Sequence, residues 1–376
     1  ALLGDREAVN EMTTSAAPPG DDDGVELAPR RRGRSARLKR GLRWLGSTLL
    51  TSCITLVGLL VVTFALGRVL PSDPVLRVVG DRASQEQYDE VFRQLRLDRP
   101  LTEQFAAYAS EMVRGDFGQS LVTRNPISSD IARYFPATFE LATVAILLGV
   151  LFGIPIGVMC AQYANRLPDH LGRMVSLIGY SVPVFWLGIV GLLVFYAKLE
   201  WVAGPGRLDT VYRYSVPEVT HLMLIDTALA GEWDAFRNAV SHLVLPASLL
   251  GLIALGYIAR MTRSFLLWQL RQDYTTVLRV KGLSEAAIIW RHALYNAAGP
   301  VLAIVALTYA YLLEGAVLTE TVFAWPGLGM YITDSLFASD VPAVLTATLL
   351  VGVIFMVVNI ASEVIQAALD PRSRLA

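Results

Sequence analysis

Long apolar runs alternate with polar segments along nearly the whole chain. The apolar runs occupy residues 47–69 and then about 137–161, 174–199, 241–267, 300–322 and 343–369. A helix rises about 1.5 Å per residue, so some twenty residues cross a hydrocarbon core of about 30 Å. Six such runs predict an all-α polytopic membrane protein with six transmembrane helices.

The polar segments divide the chain. Residues 1–46 read as a disordered tail with a basic juxtamembrane block. Its first part carries Pro18-Pro19-Gly20 and the solvated acids Asp21-Asp22-Asp23 with almost no periodic apolar content. No apolar core follows its start, so a cleavable signal peptide is not expected. After the first helix, residues 47–69, the prolines of Leu70-Pro71-Ser72-Asp73-Pro74 stop the span. Residues 70–136 then form an extramembranous helical segment. Ser84 is placed to cap a helix carrying Tyr88, Val91, Phe92 and Leu95 on one face. Thr102 is placed to cap another carrying Phe105, Tyr108, Ala109 and Met112. Residues 137–369 make the core, with a second polar excursion at 200–240 and a third at 268–299.

Within the core, Gly149, Gly153 and Gly157 recur every fourth residue, clearing one helix face for close contact. Pro155 predicts a kink in the same helix, and residues 162–173 a short loop. In the third run Ser181-Val182-Pro183 predicts a break. The carbonyls it frees either line a translocation path or mark a packing kink.

The segment at residues 272–300 is the most informative. It lies between two apolar runs yet carries Asp273, Arg279, Lys281, Glu285, Arg291 and His292, a load that cannot rest in hydrocarbon. Its pattern predicts a short helix, a turn at Gly282, and a second helix capped by Ser284 that leads back into the membrane.

Hydrophobic residues make up 54% of the chain and mean hydropathy is +0.47, which excludes ordinary soluble packing. The net charge of −1 hides segregation: Arg30, Arg31, Arg32, Arg34, Arg37, Lys39, Arg40 and Arg43 crowd before the first span. Such a block beside a membrane span reads as a topology signal rather than a nucleic-acid site. The 162–173 and 260–291 loops and the C-terminal tail, with Arg372, share the basic excess, whereas 320–342 has none. Both termini are therefore expected in the cytoplasm, together with the 272–300 segment. Cys53 and Cys160 lie in apolar runs and suggest neither a zinc site nor a disulfide framework.

Catalytic patterns are missing. The lysines are Lys39, Lys198 and Lys281, and none precedes Ser or Thr, so there is no phosphate loop. His170, His221, His242 and His292 are far apart and show no metal-site spacing. The chain is expected to move a solute rather than transform one, and to bind no metal or cofactor itself. A charge inside a span costs roughly 2.5–3.5 kcal/mol on insertion scales, which singles out Glu314 in the fifth run. It either shapes selectivity, for instance toward a cationic group, or pairs with a neighbouring span or a watery vestibule. His242 and Glu320 read as interfacial.

Several motifs occur in order: Gly115-Asp116-Phe117-Gly118-x-Ser120, Phe135-Pro136-Ala137-Thr138-x-Glu140-Leu141, Ser181-Val182-Pro183-Val184-Phe185-Trp186, Gly204-Pro205-Gly206-Arg207, and Phe323-Ala324-Trp325-Pro326-Gly327-Leu328-Gly329. With Asp273-Tyr274, Arg279-x-Lys281-Gly282-Leu283, His292, Asn296 and Pro300, they resemble the dipeptide/oligopeptide permease family of binding-protein-dependent ATP-binding-cassette importers. The resemblance covers about residues 48–372. It departs from the family pattern at Thr276, Val277 and Leu278, where smaller residues are usual, and at Ser72 in place of a glycine.

The resemblance implies a type I importer permease fold in the cell membrane, with Asp273 to Ser284 as the helix that docks on the ATPase. In that helix Asp273, Tyr274, Leu278, Leu283 and Ser284 would shape the docking element, Arg279 and Lys281 would make its polar contacts, and Gly282 its turn. It also implies partners: a second, related permease in a heterodimer, two cytoplasmic ATPases holding ATP and magnesium, and an external solute-binding protein. Dipeptides or oligopeptides are the expected cargo, with nickel complexes, glutathione or oligosaccharides as alternatives. An ion-driven secondary transporter is a more distant alternative, without the inverted repeats that class usually shows. A membrane-anchored signalling or structural protein would not explain the 272–300 pattern.

Overall fold

Helix α1 runs over Arg34–Val69, and the short α2 over Pro74–Val79. The computed structural model describes residues 34–69, 74–80, 83–94 and 96–369. The tail at 1–29, the proline stop expected at 70–73 and the closing Asp370-Pro371-Arg372 lie outside the described residues. By contact the chain divides into residues 1–49, whose described part is the opening of α1, and residues 50–376.

Two amphipathic helices follow, α3 over Gln85–Gln94 and α4 over Leu101–Arg114. Ser84 and Gln87 cap α3 reciprocally: the Gln87 amide donates to Ser84 Oγ at 3.3 Å and the Ser84 amide to Gln87 Oε1 at 3.1 Å. Thr102 caps nothing. Pro100 takes the capping position with φ −55°, and α4 starts one residue before Thr102. Proline presets the entry dihedral, so the helix begins directly after it. Tyr108 of α4 meets the buried Thr63 of α1 at 3.0 Å, and Phe64 packs edge-on against Phe105 at 5.4 Å.

The core is built on two long helices, α5 over Ile127–Gln162 and α9 over Trp233–Leu270. Helix α5 begins ten residues before its apolar run and continues through both Pro136 and Pro155. Gly149, Gly153 and Gly157 all face α9. A Cβ on Gly149 would come within 2.5 Å of Ala254 Cβ, on Gly153 within 3.1 Å of the Leu255 carbonyl, and on Gly157 within 2.6 Å of the Ala259 carbonyl. The two helices pack at backbone distance because those side chains are missing. Their contact rises together along both helices, so α5 and α9 run parallel.

Between them lie α6 over Leu167–Ser181, α7 over Val184–Gly191 with a wide π-helical continuation at Leu192–Lys198, and the short α8 over Met223–Leu229. The break expected at Ser181-Val182-Pro183 is present, and it divides the third run into two helices bent by 94°. Pro183 has no N–H to donate, and it forces Val182 into extended backbone at φ −87° and ψ 130°. Helix α6 starts at Leu167 rather than past residue 173, because Pro168 sits in its first turn.

After α9 come α10 over Asp273–Val280, α11 over Glu285–Ala287, a π turn at Ile288–Ala293, and α12 over Leu294–Gly315. Helix α12 stops at Gly315, so Glu314 stands in its last turn rather than mid-span. The shorter α13 over Val317–Val322 and α14 over Leu328–Phe337 lead to α15 over Val341–Leu369. Among the described residues, five helices are long and apolar enough to cross a membrane, or six if the bent pair is one span.

Candidate functional site

Helix α10 is a solvent-facing element pinned to the end of α9. The chain leaves α9 at Leu270, and Gln272 is extended at φ −77° and ψ 149°, which turns the next helix away. Thr275 is buried at the joint and its hydroxyl donates to the Leu270 carbonyl at 3.0 Å and the Gln272 carbonyl at 2.8 Å. Tyr274 donates its phenol to Gln269 Oε1 at 3.0 Å. Asp273, Thr276, Val277 and Val280 then share one exposed face, with Val280 at 84% exposure, while Leu278 and Leu283 are half-buried.

The exit from α10 is a left-handed glycine turn. Gly282 has φ +81°, its amide donates to the Arg279 carbonyl at 2.9 Å, and the Leu283 amide reaches back to the Leu278 carbonyl at 3.2 Å. Ser284 Oγ then accepts from the Ala287 amide at 3.3 Å, capping the returning helix. Arg279 does not simply point outward. Its guanidinium forks onto Glu285, with Nε 2.7 Å from Oε1 and Nη2 3.3 Å from Oε2, so the turn is clamped across its own ends. Lys281 is exposed.

The pathway residues singled out from sequence do not gather in one place. Ser181 and Pro183 are exposed at the bend between α6 and α7. Glu314 instead lines a groove formed with α5, α14 and α15.

Toward the start of α5, three separate sequence motifs meet. The Thr138 hydroxyl donates to Glu320 Oε1 at 2.6 Å while accepting from the Leu328 amide at 2.7 Å. The Met330 amide supplies Glu320 Oε2 at 3.0 Å. Trp325 donates its indole N–H to the Ala137 carbonyl at 2.9 Å. Arg207, from the glycine turn after α7, pairs with Glu140 and lies over the Trp325 ring with its Cζ 5.5 Å from the centroid. Glu140 also accepts from the Leu224 amide at 2.7 Å.

A second tie binds Ser120 to Asp340, between α14 and α15, and the first turn of α5 to α14. Ser120 donates to Asp340 Oδ2 at 2.6 Å, and the Tyr331 phenol donates to Asp130 Oδ2 at 3.3 Å. Burial, then the neighbouring Asp130 and Asp340 carboxylates, push the Tyr331 phenol well above its usual range, which keeps that proton in place.

Glu320 and His242, which look interfacial in the sequence, are buried. Glu320 is fully enclosed, and His242 contacts the Gly204 carbonyl at 2.8 Å and Asp209 at 3.2 Å. Their role escaped sequence reasoning because their partners lie in distant motifs. The signal was present only as those motifs, each carrying one part of the cluster. An ion pair between Asp169 of α6 and Arg263 of α9 was missed for the same reason.

Two family models match the chain: the binding-protein-dependent transport system inner membrane component over residues 153–375, and its N-terminal membrane component over residues 41–142. The di/tripeptide transport system permease protein DppB of Pseudomonas aeruginosa (strain UCBPP-PA14) is 42% identical over 321 residues, covering 85% of this chain and 95% of that protein. The probable D,D-dipeptide transport system permease protein DdpB of Escherichia coli (strain K12) is 40% identical, covering 85% and 94%. The glutathione transport system permease protein GsiC of Salmonella paratyphi A (strain ATCC 9150 / SARB42) is 34% identical, covering 85% and 95%. Among solved structures, an inward-facing MetNI methionine ABC transporter chain superposes with a TM-score of 0.51 at 16% identity, covering 65% of this chain and 99% of that one. The fold is that of an importer permease, the work of the chain is transport rather than catalysis, and the chain belongs to the binding-protein-dependent transport system inner membrane component family.

Proposed function

We propose that this permease carries dipeptides and short oligopeptides through a membrane importer driven by separate ATPase subunits. The observation that carries the cargo is the 42% identity, over 95% of its length, to a di/tripeptide permease. The observation that carries the drive is α10, a short helix pinned to α9 by Thr275 and Tyr274 with one face left exposed. On this reading Asp273, Val277 and Val280 enter a groove on the ATPase. Lys281 adds a charge contact, and the Arg279–Glu285 fork holds the turn stiff so that movement of the docked helix reaches α9. Ser181 and Pro183 supply a bend that can move as α6 and α7 swing.

The remaining assembly follows the same reading. A second, related permease pairs with this one, two ATPases bind ATP and magnesium, and a solute-binding protein delivers cargo from outside. The basic residues around 30–43, 260–291 and 372 support a cytoplasmic position for both termini and α10. The GsiC relative makes glutathione, itself a tripeptide, the second cargo to test.

The test is purification of the chain from its own membranes in mild detergent, followed by reconstitution and peptide uptake. Two ATPases and a second permease should co-purify, and uptake of dialanine should require ATP. A chain that purifies alone and transports on an ion gradient would falsify the proposal.

A further inference from the structure

The groove around Glu314 sets a carboxylate among largely apolar side chains. Its walls are apolar, with Phe135 of α5, Leu313 of α12, Leu328 of α14, and Val351, Ile354 and Phe355 of α15. Thr138 also lines it, but its hydroxyl is already given to Glu320. Among the described residues Glu314 has no hydrogen-bond or ion-pair partner, and its side chain is exposed. It also stands in the last turn of the 22-residue α12, where the helix presents its negative end and disfavours an anion. Leu307, Tyr311 and Glu314 fall at helical spacing, and all three are exposed. This face of α12 therefore carries a phenol and a carboxylate with nothing among the described residues to cover it. Lipid is a poor neighbour for such a face, since a carboxylate in hydrocarbon is costly.

Each of these terms is relieved by the same thing, a cationic group arriving from outside the chain. We propose that Glu314 is a specificity-determining residue of the transport path and receives the free α-ammonium of the peptide in transit. The proposal rests on the peptide-importer reading and deepens it. The chemistry of the groove selects this group over a particular side chain. One carboxylate among apolar walls recognises a positive charge and tolerates varied apolar neighbours, and the α-ammonium is the positive charge that dipeptides share whatever their side chains. A polar, residue-specific pocket would instead present several oriented donors and acceptors, which the lining lacks.

The experiment uses the complete importer in liposomes, with the solute-binding protein saturated so that its own selectivity is not read. Dialanine uptake is compared between wild type, Glu314→Gln and Glu314→Asp, in preparations that retain both permeases and both ATPases. Losing a charge-assisted contact should lower Glu314→Gln uptake about tenfold, with Glu314→Asp keeping most of the wild-type rate. Any uptake of N-acetyldialanine, which has no ammonium, should be the same in wild type and Glu314→Gln. Dialanine uptake by Glu314→Gln within twofold of wild type overturns the proposal. So does a Glu314→Gln complex that sheds its second permease, because the carboxylate then pairs with that subunit. A wild-type complex that carries no peptide removes the peptide-importer reading itself, and this inference with it.

Discussion

Arg263 of α9 grips Asp169 of α6 as a fork, with Nε 2.7 Å from Oδ1 and Nη2 2.8 Å from Oδ2. Asp169 is fully buried there, and the Asn165 amide and Arg173 complete its surroundings at 2.8 Å and 3.6 Å. The pair joins the base of the bent α6–α7 unit to the helix that runs on into α10. On the proposed reading, a rigid joint at that place would pass a push on α10 sideways into α6.

Replacing Arg263 with Lys keeps the charge and loses the fork, because an ammonium cannot match both carboxylate oxygens. Arg263→Lys and Asp169→Asn should each lower stability by about 2–4 kcal/mol at this partly buried joint. They should also leave ATP hydrolysis running while uptake falls. Thermal unfolding of the purified complex and the ratio of peptide moved to ATP hydrolysed are the readouts. An unchanged ratio in both variants would show that the joint carries no coupling.

The glycine face of α5 makes a graded prediction. Gly157→Ala pushes a methyl into the Ala259 carbonyl and Thr262 Cβ, 2.6 and 2.7 Å away, and backbone cannot step aside. Gly153→Ala meets its nearest atoms at 3.1 Å. The first should cost about 1–3 kcal/mol of stability and the second less. Equal melting temperatures for the two variants would mean that α5 and α9 do not pack as described.

At Gly282 the space is open and the backbone is not. No atom lies within 4 Å of where an added methyl would sit, yet φ is +81°, so Ala should cost about 1–2 kcal/mol through strain alone. Asn, which tolerates this region, should be milder. The effect should appear as weaker ATPase co-purification in Gly282→Ala than in Gly282→Asn, with little change in overall melting. Equal retention of the ATPase by both variants would argue against the turn setting the direction of α10.

Glu140 and Arg207, only 6% and 10% exposed, test the far cluster. Removing either alone strands a buried charge, at about 3–5 kcal/mol. The double variant Glu140→Ala/Arg207→Ala should lose less than the sum of the singles, by about 1–3 kcal/mol. Additive losses would show that the pair does not act as a unit.

Much of this protein was legible in one dimension. Apolar runs of span length, the polar segment at 272–300, the glycine spacing of α5 and the helix–glycine–serine pattern around Gly282 are local signals. Each depends on residues within a turn or two, and together with the motif resemblance they led to the permease reading. Local rules failed where a neighbour in sequence competed. Pro100 displaced Thr102 as the start of α4, and Pro168 drew the start of α6 back to Leu167.

What no local rule could supply is which distant groups meet. Glu320 and His242 read as interfacial because their partners, Thr138 for one and Gly204 with Asp209 for the other, are remote in the chain. The pairing of Arg279 with Glu285 across the turn was likewise not legible in the sequence. Glu314 is the opposite case. The sequence alone marked it as an intramembrane charge, but only the tertiary structure decided that it ends a helix, lines an apolar groove and has no cation beside it among the described residues. Hydrophobic periodicity is read from neighbours along the chain, whereas the environment of a charge is set by whatever packing brings to it.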